Sequence, residues 1–169
     1  YGVGGDELWG NSLTSAIALE HLADAAGEDR RVGYTLGLLR SVGRLLLQRL
    51  AAGALVPLLS GRKATAALVS AWERETFGIT SAEAAERLFS LWRFPERLAT
   101  SPRARFAALL HLAGYIAETL GKNLPIEKEA WSLSEDVLLM AGVGNDVIEA
   151  CMEKTRASAD QMESVMSAA

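Results

Sequence analysis

The stretch GLLRSVG, Gly37 to Gly43, sets an arginine and a serine side by side between two glycines, inside a segment rich in leucine. Ser41 would act as a nucleophile only with a base beside it, and the neighbouring sequence offers none. Arg40 and Arg44 fall one helical turn apart. From Arg30 to Lys63 the chain carries seven basic residues and no Asp or Glu, so a phosphate or a phosphate-containing nucleotide would find its charge complement at Arg40 and Arg44. His21 and His111 are the only histidines. A metal held by both would require them to meet in space with acids such as Glu20, Asp24 or Glu118 turned inward; the simpler expectation is two ordinary helix residues, His111 among the packing. GVGG and GVGN lack the full glycine fingerprint and a preceding strand, and read as turns.

Helical periodicity covers nearly the whole chain, and no stretch alternates apolar and polar residues for long enough to make a strand. The fold class expected is all-α, a compact helical bundle of about seven to eight helices. A first helix is expected from about Glu7 to Ala26, stopping near Gly27. A second runs from about Arg31 to Ala51, with Val32, Leu36, Leu39, Gly43, Leu46 and Leu50 on one stripe and more leucines beside it, a width that predicts a central helix. A third follows from about Arg62 to Glu75. Thr80 and Glu83 have capping-box spacing for a helix from Ser81 to about Trp92. Pro95 suits the start of a short helix, and Pro102 the start of a longer one to Leu120. Ser132 and Glu135 repeat the capping-box spacing before a helix to Met140, and Asn145 can cap a final one. Trp9, Trp92, Phe94 and Trp131 are expected as core or near-core anchors, and would mark a partner surface if exposed.

Hydrophobic residues make up 50% of the 169 and charged residues 22%, a globular composition rather than a disordered one. The formal charge of -4 argues against general nucleic-acid binding, which needs a positive surface over most of the contact. Cys151 is the single cysteine and cannot close an internal disulfide, which predicts a reducing, cytoplasmic setting and no thiol site. The longest uncharged stretch, about LAAGALVPLLSG, is shorter than the roughly 20 apolar residues a membrane span needs, so no membrane partner is expected. The N-terminus shows no signal peptide, and a chain beginning on Tyr rather than Met reads as a fragment. From Leu120 onward there are nine Asp or Glu against four Lys or Arg, most simply a solvated face, though one that could dock on the basic stretch of another copy.

Four segments together resemble the HDOD domain, a bacterial signalling domain related to the HD metal-dependent phosphohydrolases. They are ELWGNSLTSAIALEHLADAAG, VGYTLGLLRSVGRLLL, ERETFGITSAEAAERLFSLWRFPERL and LLHLAGYIAETLG, in the family's order and covering roughly Leu8 to Gly121. Family members resemble LWxHSL, GLLHDIG, GITHAEVGAxLAxxWxLP and HLADxLA at these places. In the catalytic relatives the His of the first, the His-Asp pair of the second and the Asp of the fourth would hold divalent metal. The matching positions here are Asn11, Arg40, Ser41 and Gly114. A neutral amide, a permanent cation, a neutral hydroxyl and no side chain at all are not a ligand set for a hydrolytic metal.

The resemblance implies a bundle of the HD-domain type. Residues 1–121 would form the helical core, without the N-terminal helical lobe that such proteins usually carry, and 122–169 a C-terminal helical extension packed on the same domain. It implies no metal, no cofactor and no catalysis: a signal-transduction or protein-interaction module whose partner is another protein or an adjacent sensor or output domain, with self-association also open. Two alternatives stand beside it, a nucleotide sensor at Arg40 and Arg44 and a phosphohydrolase with non-standard metal ligands.

Overall fold

The computed structural model describes residues 3–51, 66–91, 103–127 and 130–167. Among them are eight α-helices and no strand: α1 (Gly5–Ala25), α2 (Arg30–Leu39), α3 (Val42–Leu50), α4 (Ala66–Phe77), α5 (Ser81–Leu91), α6 (Arg103–Thr119), α7 (Glu135–Ala141) and α8 (Asn145–Ser167). A single 3-10 turn, Pro125–Glu127, lies between α6 and α7. The all-α expectation holds. The short helix expected at Pro95, together with Trp92, Phe94 and the start expected at Arg62, lies outside the described residues.

The central helix is α1 and not, as the leucine stripe suggests, the second helix. Every residue from Asn11 to Leu19 is buried, as are Leu22 and Ala23, so α1 is enclosed on all sides by α2, α6 and α8. That enclosure explains why its sequence is apolar or small almost all round rather than striped. The main core joins Leu19 and Leu22 to Leu109, Leu112 and Ile116 of α6 and to Ile148 and Cys151 of α8. A smaller cluster of Leu13, Ile17 and Ala159, with Tyr34 against it, seals α1 to the far end of α8.

The expected second helix is two helices. It breaks at Arg40 and Ser41, where the Arg40 amide bonds Gly37 O at 3.4 Å in a tightened turn and Ser41 has φ -96° and ψ 4°. The break lets the glycines on either side serve different neighbours. At Gly37, α2 lies on the α1 backbone; a Cβ there would stand 2.5 Å from Ala16 Cα and Ser15 O. At Gly43, α3 meets the start of α5 more closely still, since a Cβ would fall 1.8 Å from Ser81 O. Along α2 and α3 the buried positions are Gly33, Gly37, Gly43 and Leu47, whereas Leu50 is exposed. Close backbone approach at the glycines, with Leu47 fully buried and Val32 and Leu36 against the core, fixes these two helices.

Helix ends follow local chemistry. The Thr80–Glu83 capping box is present: the Thr80 amide donates to Glu83 Oε2 at 2.8 Å and the Glu83 amide to Thr80 Oγ1 at 3.2 Å. Buried Glu73 of α4 adds a second acceptor, taking the Ser81 amide at 2.7 Å and tying α4 to the start of α5. Two caps differ from the expected spacing. Ser134 rather than Ser132 caps α7, accepting from the Val137 amide, and Asn145 is the first residue of α8 rather than its cap. Arg105 of α6 staples two C-termini, donating to Ala141 O at 3.0 Å and Ala26 O at 2.8 Å, carbonyls that α7 and α1 leave without helical partners. Among the described residues no helix is long and apolar enough to cross a membrane.

Candidate functional site

The turn between α2 and α3 aims Arg40 inward, where its side chain is only 6% exposed. A buried guanidinium needs its charge and its donors answered; three groups answer its charge and both terminal nitrogens, while its buried Nε has no hydrogen-bond partner among the described residues. Arg40 Nη1 donates to Glu127 Oε2 at 2.9 Å, Nη2 donates to Asn11 Oδ1, and the guanidinium carbon lies 5.0 Å from the centre of the Trp131 ring. Burial pushes the Arg40 pKa down to about 10, still well above neutrality, so the group stays charged.

Each partner is fixed in turn. Asn11, 1% exposed, donates Nδ2 to Lys122 O at 2.7 Å, which orients the amide so that Oδ1 faces Arg40. Glu127 comes from the 3-10 turn after α6, and its carboxylate, 4% exposed, also accepts from Arg44 Nη1 and, at 3.3 Å, from Trp131 Nε1. Three donors thus converge on one carboxylate. Trp131 lies over Gly114 of α6, where a Cβ would come 2.6 Å from the ring. His111, one turn earlier, packs edge-to-face with the Trp131 ring, the ring centres 5.2 Å apart, and has its Nε2 3.2 Å from the Ser132 amide nitrogen.

The structure therefore gathers Asn11, Arg40 and, through Trp131, Gly114 around one centre. Ser41 adjoins it in sequence, but its buried Oγ has no hydrogen-bond partner among the described residues, and no base stands beside it. Where a divalent ion would need imidazole or carboxylate donors around an open position, the space holds a cation of the chain's own. Among the described residues no three or more His, Cys, Asp or Glu side chains are grouped to hold a metal. The divalent metal that the catalytic relatives would hold does not fit these residues. Arg40 and Arg44 both face the Glu127 carboxylate, so a phosphate bound between them would have to displace it.

Sequence reasoning did not find Glu127 or the place of Trp131 in this centre. The one available signal was the arginine itself, since a permanent charge in an apolar helix demands a carboxylate; nine acids follow Leu120, and none is marked by spacing. Trp131 is partly buried as expected, but Trp9 is 50% exposed and corrects the expectation of a core anchor. It borders a groove of about 350 Å³ with Leu8, Leu38, Leu39, Val42 and Leu45. Cys151 is buried in the core, and burial pushes its thiol pKa up, away from reactive thiolate.

Compared with known proteins, the chain finds no match among curated sequences and none among solved structures. A family model, that of the HDOD domain, matches residues 1–108, which include three of the four positions weighed above and leave Gly114, Glu127 and Trp131 beyond its end. With most of its length matched, and with an all-helical fold, this chain belongs to the HDOD domain family.

Proposed function

We propose that this domain is a noncatalytic signal-transduction or protein-interaction module, an HD-related fold whose metal centre has been replaced by an internal ion pair. The observation that carries this reading is the Arg40–Glu127 contact. A guanidinium repels a divalent ion, and its carboxylate partner Glu127 is already engaged by Arg40 Nη1, Arg44 Nη1 and Trp131 Nε1. Without a metal there is no activated water and no Lewis acid for phosphoester hydrolysis.

Binding is the work left to such a fold. Half-exposed Trp9 beside Leu45, which is also exposed, on a groove walled by Leu38, Leu39 and Val42, is apolar surface of the kind that protein partners cover. The proposed partner is another protein or an adjacent sensor or output domain.

The test has two arms. Protein purified without chelator is analysed for metals and assayed on a generic phosphodiester with added manganese, iron or zinc; the expected result is substoichiometric metal and hydrolysis no faster than in buffer. Stoichiometric metal with turnover would overturn the reading. In the second arm a protein recovered from lysate with the full-length protein is tested against Trp9→Ala and Leu45→Asp, both expected to release it. A partner that binds both variants as tightly as the parent would move the interaction away from this groove.

A further inference from the structure

Glu127 and Trp131 reach the centre from the segment between α6 and α7, not from the helices that make the core. Both meet the same side chain: the carboxylate, which also serves Arg44 and Trp131, takes Arg40 Nη1, and the ring centre lies 5.0 Å from the guanidinium carbon. Asn11, from the middle of α1, closes the remaining side with Oδ1, and its Nδ2 holds Lys122 O at the root of the same segment. A carboxylate oxygen for one amino group, an amide oxygen for the other and an aromatic face for the planar π-system are what a guanidinium binding site consists of. An ammonium at the same place would match the charge but neither the fork nor the plane.

We propose that Asn11, Glu127 and Trp131 form a guanidinium-binding site that is filled in cis by Arg40, and that this side chain, beside Arg44 and the His111–Ser132 contact, helps to hold Glu127 and Trp131 against the helical core. A shift of the α2–α3 turn withdraws the guanidinium from Glu127 and Trp131 together, and so loosens these two residues at the end of the segment that leads into α7. The inference concerns the centre discussed under the proposed function but does not need that reading to be right about partners.

The site can be emptied and refilled. In the full chain, Arg40→Ala should lower Tm by roughly 10 °C, the scale for removing one partner of a buried ion pair in a domain of this size. Methylguanidinium chloride at millimolar concentration should then raise Tm saturably. Sodium chloride and methylammonium chloride at the same concentration should not, and the parent protein should not respond. Adding Trp131→Leu to Arg40→Ala should abolish the recovery. Absence of saturable recovery, or equal recovery by methylammonium, would overturn the proposal, as would greater stabilisation of Arg40→Ala by manganese or zinc than by methylguanidinium. Metal bound to the parent protein would instead count against the proposed function and leave this test to stand alone. Should Arg40→Ala not fold, hydrogen exchange is measured on Glu127→Gln. Amides flanking Glu127 and Trp131 should exchange faster while those of α1 keep their protection; unchanged exchange there would refute the hold of Arg40 on these two residues.

Discussion

Gly114 and Trp131 occupy a single place in the structure: a Cβ on Gly114 would lie 2.6 Å from Trp131 Cδ2 and 2.8 Å from Cε2. The bare glycine of α6 is therefore what allows the indole to lie flat on the helix. From there the ring receives the Arg40 guanidinium at 5.0 Å, packs edge-to-face with His111 and donates its N–H to Glu127. A position where a catalytic relative would carry an aspartate has become a seat for an aromatic ring.

Gly114→Ala should consequently push Trp131 off α6 and cost about 1–3 kcal/mol, the usual range for overpacking. Urea unfolding and the fluorescence of Trp131, read in a variant with the other tryptophans replaced by Phe, would report both effects. In a Trp131→Ala background the methyl group should be tolerated. If its cost were the same there, the ring would not be the reason for the glycine.

Gly43→Ala makes a harsher demand, because the added Cβ would stand 1.8 Å from a backbone oxygen, Ser81 O, which cannot rotate aside. Helix α3 would have to part from α5. The expected cost is about 3 kcal/mol or more, at the upper end for point substitutions, with Gly37→Ala close behind through its 2.5 Å approach to Ala16 Cα. Gly5→Ala, with nothing within 4 Å of the new methyl, is the control and should stay within roughly 0.5 kcal/mol of the parent. Circular dichroism melts of the three variants would rank them; a mild Gly43→Ala would contradict the close approach of α3 and α5.

The sequence made the helical class and most helix ends legible because periodicity and capping are local. Thr80 and Glu83 are three residues apart and bond as their spacing requires. What local pattern could not show is which helix lies in the middle. The leucines of α2 and α3 imitate a buried stripe, yet α1, with small residues such as Ala16, Ala18 and Ser15 fully buried, is the one that its neighbours enclose. The centre was legible by halves. Resemblance located Asn11, Arg40, Ser41 and Gly114, but Glu127 lies 87 residues from Arg40 in the chain, and no spacing rule links a charge to a partner at that distance.

His21 gives the domain a dependence on mild acid. Its Nε2 is buried without a hydrogen-bond partner among the described residues, and burial, the largest influence, lowers its pKa below the ordinary 6.5; Glu20 and Asp24 pull the other way, while Lys154 of α8 and Arg30 of α2 add to the lowering. The unfolded chain thus takes up a proton before the folded one does. The stability due to neutral His21 is complete above pH 6.5 and is lost as the pH falls through the lower folded pKa. Urea unfolding at pH 7.5, 6.5 and 5.5 should show the parent weakening over this range and His21→Gln weakening less. Parallel slopes for the two proteins would remove His21 from the account.

The ion pair at the centre should show itself as coupling rather than as a sum. Arg40→Met takes one of three donors from the buried Glu127 carboxylate, leaving it Arg44 and Trp131, whereas Glu127→Gln leaves the Arg40 guanidinium without its carboxylate; removal of one partner of a buried pair typically costs about 3–5 kcal/mol, most of it the penalty on the charge left behind, and the remaining ion pair with Arg44 places Arg40→Met at the low end. In the double variant neither position 40 nor position 127 carries a charge that could be left without its partner. The double variant should therefore be less destabilised than the two single costs added together, by a coupling energy of roughly 0.5–3 kcal/mol. Four proteins and one denaturant series measure it. Strict additivity would mean that Arg40 and Glu127 do not rely on each other, and that the cation of this centre is answered mainly by Asn11 and the face of Trp131.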